Sequence, residues 1–309
     1  MYNIDECTQS KKAEVNIMNA QLRKIQTIIE PMTVMEGAGV RLKRSLGGEH
    51  VSYLDPFLLF DHFGSVHAEE YQAGFPMHPH RGIETVTYML TGEVHHRDTL
   101  GNSGSIKAGD AQWMTAGGGI LHEEMPQVRP EGNAGFQLWV NLPARLKMSQ
   151  PRYQNIPSQE IPEVRMDTGA TIRVIAGMVA GTDGAVTDIA ANPTYLDVCI
   201  PAGCSFSHPV SRRHTAFAYV FEGTAGFVEE EEEPPTWIAQ TKLVVWKDGD
   251  LVKVLTGNDP VRLLLISAMP LNEPIARYGP FVMNTKEEIE QALLDLKRGT
   301  FIWQEQACP

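Results

Sequence analysis

The segments His78-Pro79-His80 and His122-Glu123-Glu124 place three imidazoles and a carboxylate at two-residue spacing. In a β-strand the side chains of residues i and i+2 point to the same face, so each segment can present two ligands to one ion. If the fold brings the two strands together, the ligands form one site on a β-scaffold. The sequence therefore predicts four metal ligands, namely His78, His80, His122 and Glu124.

The chemistry of this ligand set indicates which metal it suits. Three neutral imidazoles and a carboxylate suit iron, manganese, nickel, copper or zinc, and suit calcium poorly. Iron is our first choice, because four protein ligands on an octahedral ion leave two positions for water, oxygen or a bidentate substrate. The alternative is that these histidines are surface residues or hydrogen-bonded core residues. Two such pairs on either side of a strand-rich stretch favour metal binding.

Composition limits the classes of function. The 309 residues carry a net charge of −12, with a pI near 5.3, so we expect no direct binding to nucleic acid. Neither a secretory signal nor an apolar run long enough to span a membrane is readable. We therefore expect a soluble cytoplasmic or nuclear protein without membrane contact. Its four cysteines form no Cys-x-x-Cys pair, as is typical of reduced proteins: Cys7, Cys199, Cys204 and Cys308.

Short β-rich segments separated by glycine turns fill most of the chain. The first series lies at 83–90, 93–97, 111–114 and 136–141, and the second at 171–175, 195–200, 216–221 and 243–246. The stretch 88–92 resembles 219–223, and Gly109-Asp110 resembles Gly249-Asp250. This pattern predicts two similar β-barrels or sandwiches.

Prolines and capping residues predict the domain organisation. Pro151, Pro157 and Pro162 indicate an extended linker, so we predict an N-terminal domain with the metal site at 26–150 and a C-terminal domain at 151–309. Residues 1–25 are predicted to form a mobile tail. Thr285 and Glu288 form a capping box that predicts a helix over 285–298, packed across a barrel as a lid or buttress.

Four further segments have interpretations that the sequence leaves open. If 83–90 continues the His78/His80 strand in register, then Glu84, Val86 and Tyr88 share the histidine face, although Pro79 could disturb that register. The neighbours His95 and His96 point to opposite faces, and we expect His96 to point inward beside the ligands. The stretch 117–119 is either a close backbone approach near the metal or a plain loop. The basic residues at 41, 43 and 44 are either a partner surface or, more simply, a solvated strand face.

Longer motifs around the histidines resemble those of a known family. The stretches 74–88 and 109–125, together with 55–61, 137–141 and 279–285, resemble the pirin family of bicupin proteins, and the resemblance covers most of the chain. It implies an all-β fold of two tandem cupin (jelly-roll) β-barrels with a few short helices, including one C-terminal helix. It also implies one iron ion, Fe(II) or Fe(III), in the N-terminal barrel only, with the four ligands named above. Met77 stands where the family often has aspartate. Because this residue is not a ligand, the difference affects how the surroundings adjust the properties of the metal more than whether it binds. The second barrel has only His208 and His214 and no His-x-His, so we predict that it binds no metal.

The resemblance implies two different activities. One is a quercetin 2,3-dioxygenase-type reaction, in which O2 cleaves the heterocyclic ring of a flavonol-like substrate and carbon monoxide is released. In that reaction Glu124 would be the catalytic base that takes the proton of the substrate hydroxyl. The other activity is non-enzymatic: an iron- and redox-dependent co-regulator that binds a transcription-regulatory protein. A cavity wide enough for a flavonol favours the first activity, whereas a plugged barrel mouth favours the second.

Overall fold

The structure is a computed structural model that describes residues 20–302, and within this range it consists mostly of β-strands. The first strands in chain order are β1 (Ile25–Ile29), β2 (Met32–Glu36), β3 (Val40–Leu46), β4 (Phe57–Ser65), β5 (Phe75–His80), β6 (Ile83–Thr91), β7 (Glu93–Asp98), β8 (Ser103–Lys107), β9 (Ala111–Thr115), β10 (Ile120–Pro126), β11 (Asn133–Asn141) and β12 (Arg152–Ile156). Short 3-10 helices lie at Ala68–Glu70, Ala144–Leu146 and Ser158–Glu160.

The second half of the chain repeats the pattern. Its strands are β13 (Glu163–Arg165), β14 (Thr171–Ala176), β15 (Met178–Val179), β16 (Thr182–Asp183), β17 (Thr194–Ile200), β18 (Ser205–Pro209), β19 (Thr215–Glu222), β20 (Thr224–Phe227), β21 (Thr236–Ala239), β22 (Lys242–Trp246), β23 (Leu251–Thr256), β24 (Val261–Ala268), β25 (Ala276–Tyr278) and β26 (Phe281–Met283). One α-helix of the described chain follows, α1 (Lys286–Arg298). No helix in residues 20–302 is both long and apolar enough to cross a membrane.

Each domain contains one sheet of seven strands and one of four. The N-terminal domain has the sheets β12-β9-β6-β11-β4-β3-β2 and β5-β10-β7-β8, and the C-terminal domain has β1-β22-β19-β24-β17-β14-β13 and β18-β23-β20-β21. The strand pairings in these four sheets are antiparallel. The prediction of an all-β chain with two cupin domains and a C-terminal helix is therefore confirmed.

Two strands pair across the predicted boundary between the domains. Strand β1 pairs with β22 of the C-terminal domain, and β12 pairs with β9 of the N-terminal domain. A domain boundary at residue 150 therefore does not separate the strands of the two domains, because each seven-stranded sheet contains one edge strand from the other side of this boundary. The bounds 26–150 and 151–309 remain a proposal.

The predicted N-terminal tail, residues 1–25, lies partly within the described chain. Residues 1–19 lie outside the described range, but residues 20–25 pack against the C-terminal domain. Arg23 is buried and donates hydrogen bonds to the backbone carbonyls of Ser211, His214 and Lys247. A buried guanidinium with three carbonyl partners fixes the chain, so the prediction of a mobile tail is wrong for these last residues.

The two domains share one aromatic core. Phe57 and Phe60 of β4 lie 5.1 Å and 5.6 Å, centroid to centroid, from the ring of Phe217 on β19. Tyr88 on β6 donates a hydrogen bond of 2.6 Å to Asp197 on β17, which links the two seven-stranded sheets. The outer faces of these sheets are therefore buried against each other, and the apolar area removed from water stabilises the pair of domains.

The C-terminal hairpin and helix return to the N-terminal domain. Hairpin strand β26 bridges to Arg81, whose guanidinium also pairs with Asp295 of α1 at 2.7 Å and lies over the ring of Phe301. The helix begins with the capping box that the sequence indicates: Thr285 accepts from the Glu288 backbone, and the Glu288 side chain accepts from Thr285. The helix contacts strands β25 and β26, so it acts as a buttress behind this hairpin.

Candidate metal centre

Strands β5 and β10 bring three histidines together. In their antiparallel pairing His122 lies opposite His78, and His80 lies opposite Ile120. The ring centroids are 4.5 Å apart for His78 and His122, 5.0 Å for His80 and His122, and 4.8 Å for His78 and His80. One ligand atom from each ring falls within 4.8 Å of the other two. Three of the four predicted ligands thus converge on one point.

The orientation of the imidazole rings fits an ion. The Nδ1 atom of His78 lies 2.9 Å from the Pro76 carbonyl oxygen, so Nδ1 carries the proton. The unprotonated Nε2 therefore has its lone pair free to bind a metal. That Nε2 lies 3.0 Å from Nε2 of His80. At this spacing the two nitrogens can share a hydrogen bond, and they are close enough to bind one ion together.

Burial prepares two of the imidazoles for metal binding. His80 is 2% exposed and His122 is 1% exposed. Burial, and after it the adjacent histidines, lowers the pKa of both rings well below the usual value, which keeps them in the neutral form that binds metal. Both ring nitrogens of His122 are buried without a hydrogen-bond partner among the described residues. Buried polar atoms without partners are costly, and an ion would remove that cost.

Glu124 lies in the same cavity but outside the group of three. A β-bulge between His122 and Glu124 shifts the register of β10, so that Glu124 pairs with Phe75. Its Oε1 atom lies 3.2 Å from the Thr87 hydroxyl, which lies 2.7 Å from Oε1 of Gln137 and can donate to either oxygen. Burial raises the pKa of Glu124, with the nearby His78 acting in the opposite sense. The role of Glu124 as fourth ligand and base remains a prediction.

The expected register of the strand after the histidines is wrong. Strand β5 ends at His80 in the four-stranded sheet, and β6 begins at Ile83 in the seven-stranded sheet. Gly82, at φ +80°, lies where the chain passes from one sheet to the other. As a result Thr87 faces the cavity, whereas Val86 and Tyr88 face the core between the domains. Glu84 shares the face of Val86 and Tyr88 by strand alternation.

Two of the three histidines, His78 and His80, line a cavity of about 420 Å³ between the two sheets of the N-terminal domain. Its volume falls within the range of about 300–1,000 Å³ that is usual for small-molecule sites. Apolar and aromatic side chains line most of it, and part of the C-terminal hairpin contributes to the wall. Its polar, charged and aromatic lining includes Glu36, Arg44, Asp61, Thr87, Gln137, Trp139 and Arg277.

The inward orientation of His96 is confirmed. His96 is buried and lies opposite Glu124 on the neighbouring strand, whereas His95 is exposed beside Glu93. The His96 ring stacks on Tyr153 of β12 at 5.5 Å between centroids. His96 is therefore a cross-strand neighbour of Glu124, although no hydrogen bond joins the two side chains among the described residues.

Several residues around the cavity were not singled out in the sequence. The edge of the Trp139 ring meets His80, with centroids 5.1 Å apart and planes at 87°. Strand alternation over 136–141 could have placed Gln137 and Trp139 on one face, because they are two residues apart. No local signal points to Arg277, which the fold brings in from more than a hundred residues away.

The basic segment at 41–44 is not simply a solvated strand face. Arg44 forms two hydrogen bonds to Asp61, at 2.9 Å and 2.7 Å, and one to Glu36 at 2.6 Å, all at the cavity wall. Burial raises the pKa of Asp61 to about 6, although the pairing with Arg44 lowers it. Arg41, which pairs with Glu70, and Lys43 are both exposed and fit the interpretation as a solvated strand face. The prediction is wrong for Arg44.

The glycine stretch 117–119 approaches other backbone, not the metal ligands. A Cβ added at Gly117 would lie 2.1 Å from the Ser149 carbonyl oxygen, and one at Gly119 would lie 2.2 Å from the Phe301 carbonyl oxygen. The Gly118 carbonyl accepts a hydrogen bond from Arg81 at 2.7 Å. The prediction of a close backbone approach is confirmed, but the approach is not to the metal ligands. Its contacts with Phe301 and Arg81 hold the C-terminal segment in place.

The two histidines of the second domain make different contacts. His208 is buried and stacks on Phe206, with centroids 6.1 Å apart and planes 6° apart. His214 has a backbone carbonyl that accepts from Arg23. Apolar side chains fill the interior of this domain, including Phe206, Phe227 and Trp246. Within residues 20–302 the metal-capable group is the one in the first domain, and a metal-free second domain remains a prediction.

Two cupin domains in tandem, with a histidine trio in the first, define the class of bicupin proteins. The Pirin family model matches residues 39–140, and the model of the pirin C-terminal cupin domain matches residues 195–302. The chain belongs to the pirin family. It is 42% identical over 281 residues to a pirin-like protein of Caulobacter vibrioides, which covers 91% of this chain and 99% of that protein. It is 43% identical over 266 residues to Pirin of Homo sapiens, covering 85% of this chain and 88% of that protein.

A solved structure shows the same architecture. The crystal structure of a quercetin 2,3-dioxygenase from Acinetobacter baumannii superposes with a TM-score of 0.80 at 34% identity. The match covers 91% of this chain and 98% of that one. Fold and family are therefore common to proteins named as pirins and to a protein named as a dioxygenase.

Proposed function

We propose that this chain is an iron-dependent dioxygenase of the quercetin 2,3-dioxygenase type, with a flavonol-like substrate. The observation that carries the proposal is the convergence of His78, His80 and His122, the first two of which line a cavity of about 420 Å³. A redox-sensing surface protein needs the ion but has no need of such a cavity. The similarity to a quercetin 2,3-dioxygenase supports the same choice.

We assign the metal ligands to His78, His80, His122 and Glu124, with one iron ion in the first domain. When bound, this ion supplies the Lewis acidity and the electron exchange with dioxygen that amino-acid side chains lack. The three imidazoles hold their donor nitrogens in place, and the hydrogen bond from His78 Nδ1 to Pro76 fixes one of them. The histidines therefore need little rearrangement to bind the metal.

The proposed catalytic base is Glu124. Its raised pKa makes the carboxylate a stronger proton acceptor than an exposed glutamate, so it can take the proton of a substrate hydroxyl. The Thr87 hydroxyl orients the carboxylate through Oε1. The ring of Trp139 lies in the cavity wall beside His80, where it can contact an aromatic substrate and exclude water.

The test is oxygen uptake by iron-reconstituted protein with quercetin, with His122→Ala as the control. We expect uptake with the intact protein and none with the variant. A Glu124→Gln variant should retain much of its iron and lose most of its turnover; full turnover in that variant would refute the base assignment. A filled iron site without any uptake would refute the enzyme and support the redox-dependent co-regulator.

A further inference from the structure

The outer part of the cavity contains a second polar group, one indole ring away from the histidines. The guanidinium of Arg277 lies over the Trp139 ring at 5.3 Å from its centroid, and the same ring contacts His80. His80 and Thr87 are almost completely buried, whereas Arg277 is exposed. Trp139 therefore extends between the deep end of the cavity and its mouth. A flat ligand lying along this ring can reach both ends.

Arg277 has hydrogen-bond donors to spare. Its Nη1 donates to the Leu58 carbonyl at 3.1 Å and its Nε to the Gly279 carbonyl at 3.3 Å. Within residues 20–302 its Nη2 has no hydrogen-bond partner, and no carboxylate forms an ion pair with it. Arginine is charged at all physiological pH values, so this nitrogen keeps two N–H groups for a ligand.

An acceptor lies at the same mouth. Glu36 accepts from Arg44 through Oε1, while both oxygens of Asp61 also accept from Arg44. The Glu36 side chain is 41% exposed, and its Oε2 has no hydrogen-bond partner among the described residues. A hydroxyl group both donates and accepts, so it suits a site with a free guanidinium and a free carboxylate oxygen. A ligand carboxylate would instead be repelled by Glu36.

We propose that Arg277 is a specificity residue that, with Trp139 and Glu36, binds a ring hydroxyl at the far end of a planar aromatic substrate. This assignment rests on the proposed function and narrows its substrate class. The selected molecules are hydroxylated on the ring that lies toward the mouth, and unsubstituted rings bind less well. Arg277 contributes to binding but takes no part in proton or electron transfer.

The test compares two ligands that differ by one hydroxyl, 3-hydroxyflavone and 3,4′-dihydroxyflavone. Affinities are measured by calorimetry on iron-loaded full-length protein without oxygen, and on metal-free protein. We expect the wild type to bind the dihydroxy compound about tenfold more tightly, since a hydrogen bond to a charged group contributes that much. Arg277→Met should reduce this ratio to near one. Arg277→Lys should retain part of the ratio.

A matched control is Arg165→Met, which removes an arginine that is 83% exposed, does not line the cavity and should leave the ratio unchanged. An unchanged ratio in Arg277→Met would overturn the proposal, as would wild-type protein that binds neither flavonol. Tighter binding of 3-hydroxyflavone-4′-carboxylate than of the hydroxyl compound would also overturn it. Oxygen uptake is scored separately: the expected affinities without uptake would refute the dioxygenase and leave the role of Arg277 intact.

Discussion

Glu84 should make the stability of the protein depend on pH in an unusual direction. This residue on β6 is 2% exposed, its Oε1 accepts from the Thr115 hydroxyl at 2.8 Å, and its Oε2 has no partner among the described residues. Burial raises the pKa of Glu84 from 4.5 to about 7. Between these pH values the folded protein therefore binds a proton that the unfolded chain releases.

The sign and size of the effect follow from proton linkage. Because the folded state binds more protons in this window, the free energy of unfolding falls as pH rises from about 4.5 to about 7, and it stays lower above that range. A pKa change from 4.5 to about 7 corresponds to about 3 kcal/mol. Glu84→Gln keeps the shape of the side chain and an acceptor for Thr115 but cannot ionise. It should therefore unfold with about 3 kcal/mol more free energy than the wild type at about pH 8, and the gain should vanish near pH 4.5.

The assay is urea unfolding followed by circular dichroism at a series of pH values. Protein treated with a chelator should be used, because a bound metal would add its own pH dependence. The control is Glu163→Gln, which changes the charge equally at a side chain that is 46% exposed and should not alter the pH profile. Parallel profiles for wild type and Glu84→Gln would show that Glu84 ionises normally in the fold and would refute the reasoning.

Three further results are expected. His80→Ala should lower bound iron from about one ion per chain to nearly none, measured by emission spectrometry, while His208→Ala leaves it unchanged; equal losses would disprove the site assignment. Arg81→Met should lower the free energy of unfolding by about 2–4 kcal/mol, because it leaves the buried carbonyl oxygens of Gly118 and Phe301 without a donor, and a loss within error in urea titrations would contradict this. Thr87→Val should reduce kcat about tenfold at unchanged iron content, and an unaltered kcat would remove its orienting role.

Much of the fold could be predicted from the sequence because its signals are local. Strand segments such as 83–90 and 195–200 are apolar and β-branched between glycine turns, and they became β6 and β17 with ends shifted by a residue. The helix was equally readable, because the Thr285 capping box and the Gly299 C-cap both lie within a few residues of the ends of α1.

The candidate site, like the fold, could be predicted from the sequence only where the signals are local. The i, i+2 spacing predicted which histidines share a face, and the pairing of β5 with β10 brings all three together. The register of the next strand was not predictable, because the chain passes to a different sheet at Gly82. No residue pattern at 83–90 indicates which sheet this strand joins.

The sequence by itself determined the number of cupin repeats, the strand segments, the C-terminal helix and the ligand pairs, since each depends on side chains only a few residues apart. The tertiary structure alone decided that the domains exchange edge strands, that Trp139 lies against His80, and that Arg277 reaches the cavity mouth. Such contacts join residues far apart in the chain, and their free energy comes from burial and pairing that exist only after the sheets have packed. The proposed metal ligands are thus encoded locally, whereas the cavity beside them is a product of the whole fold.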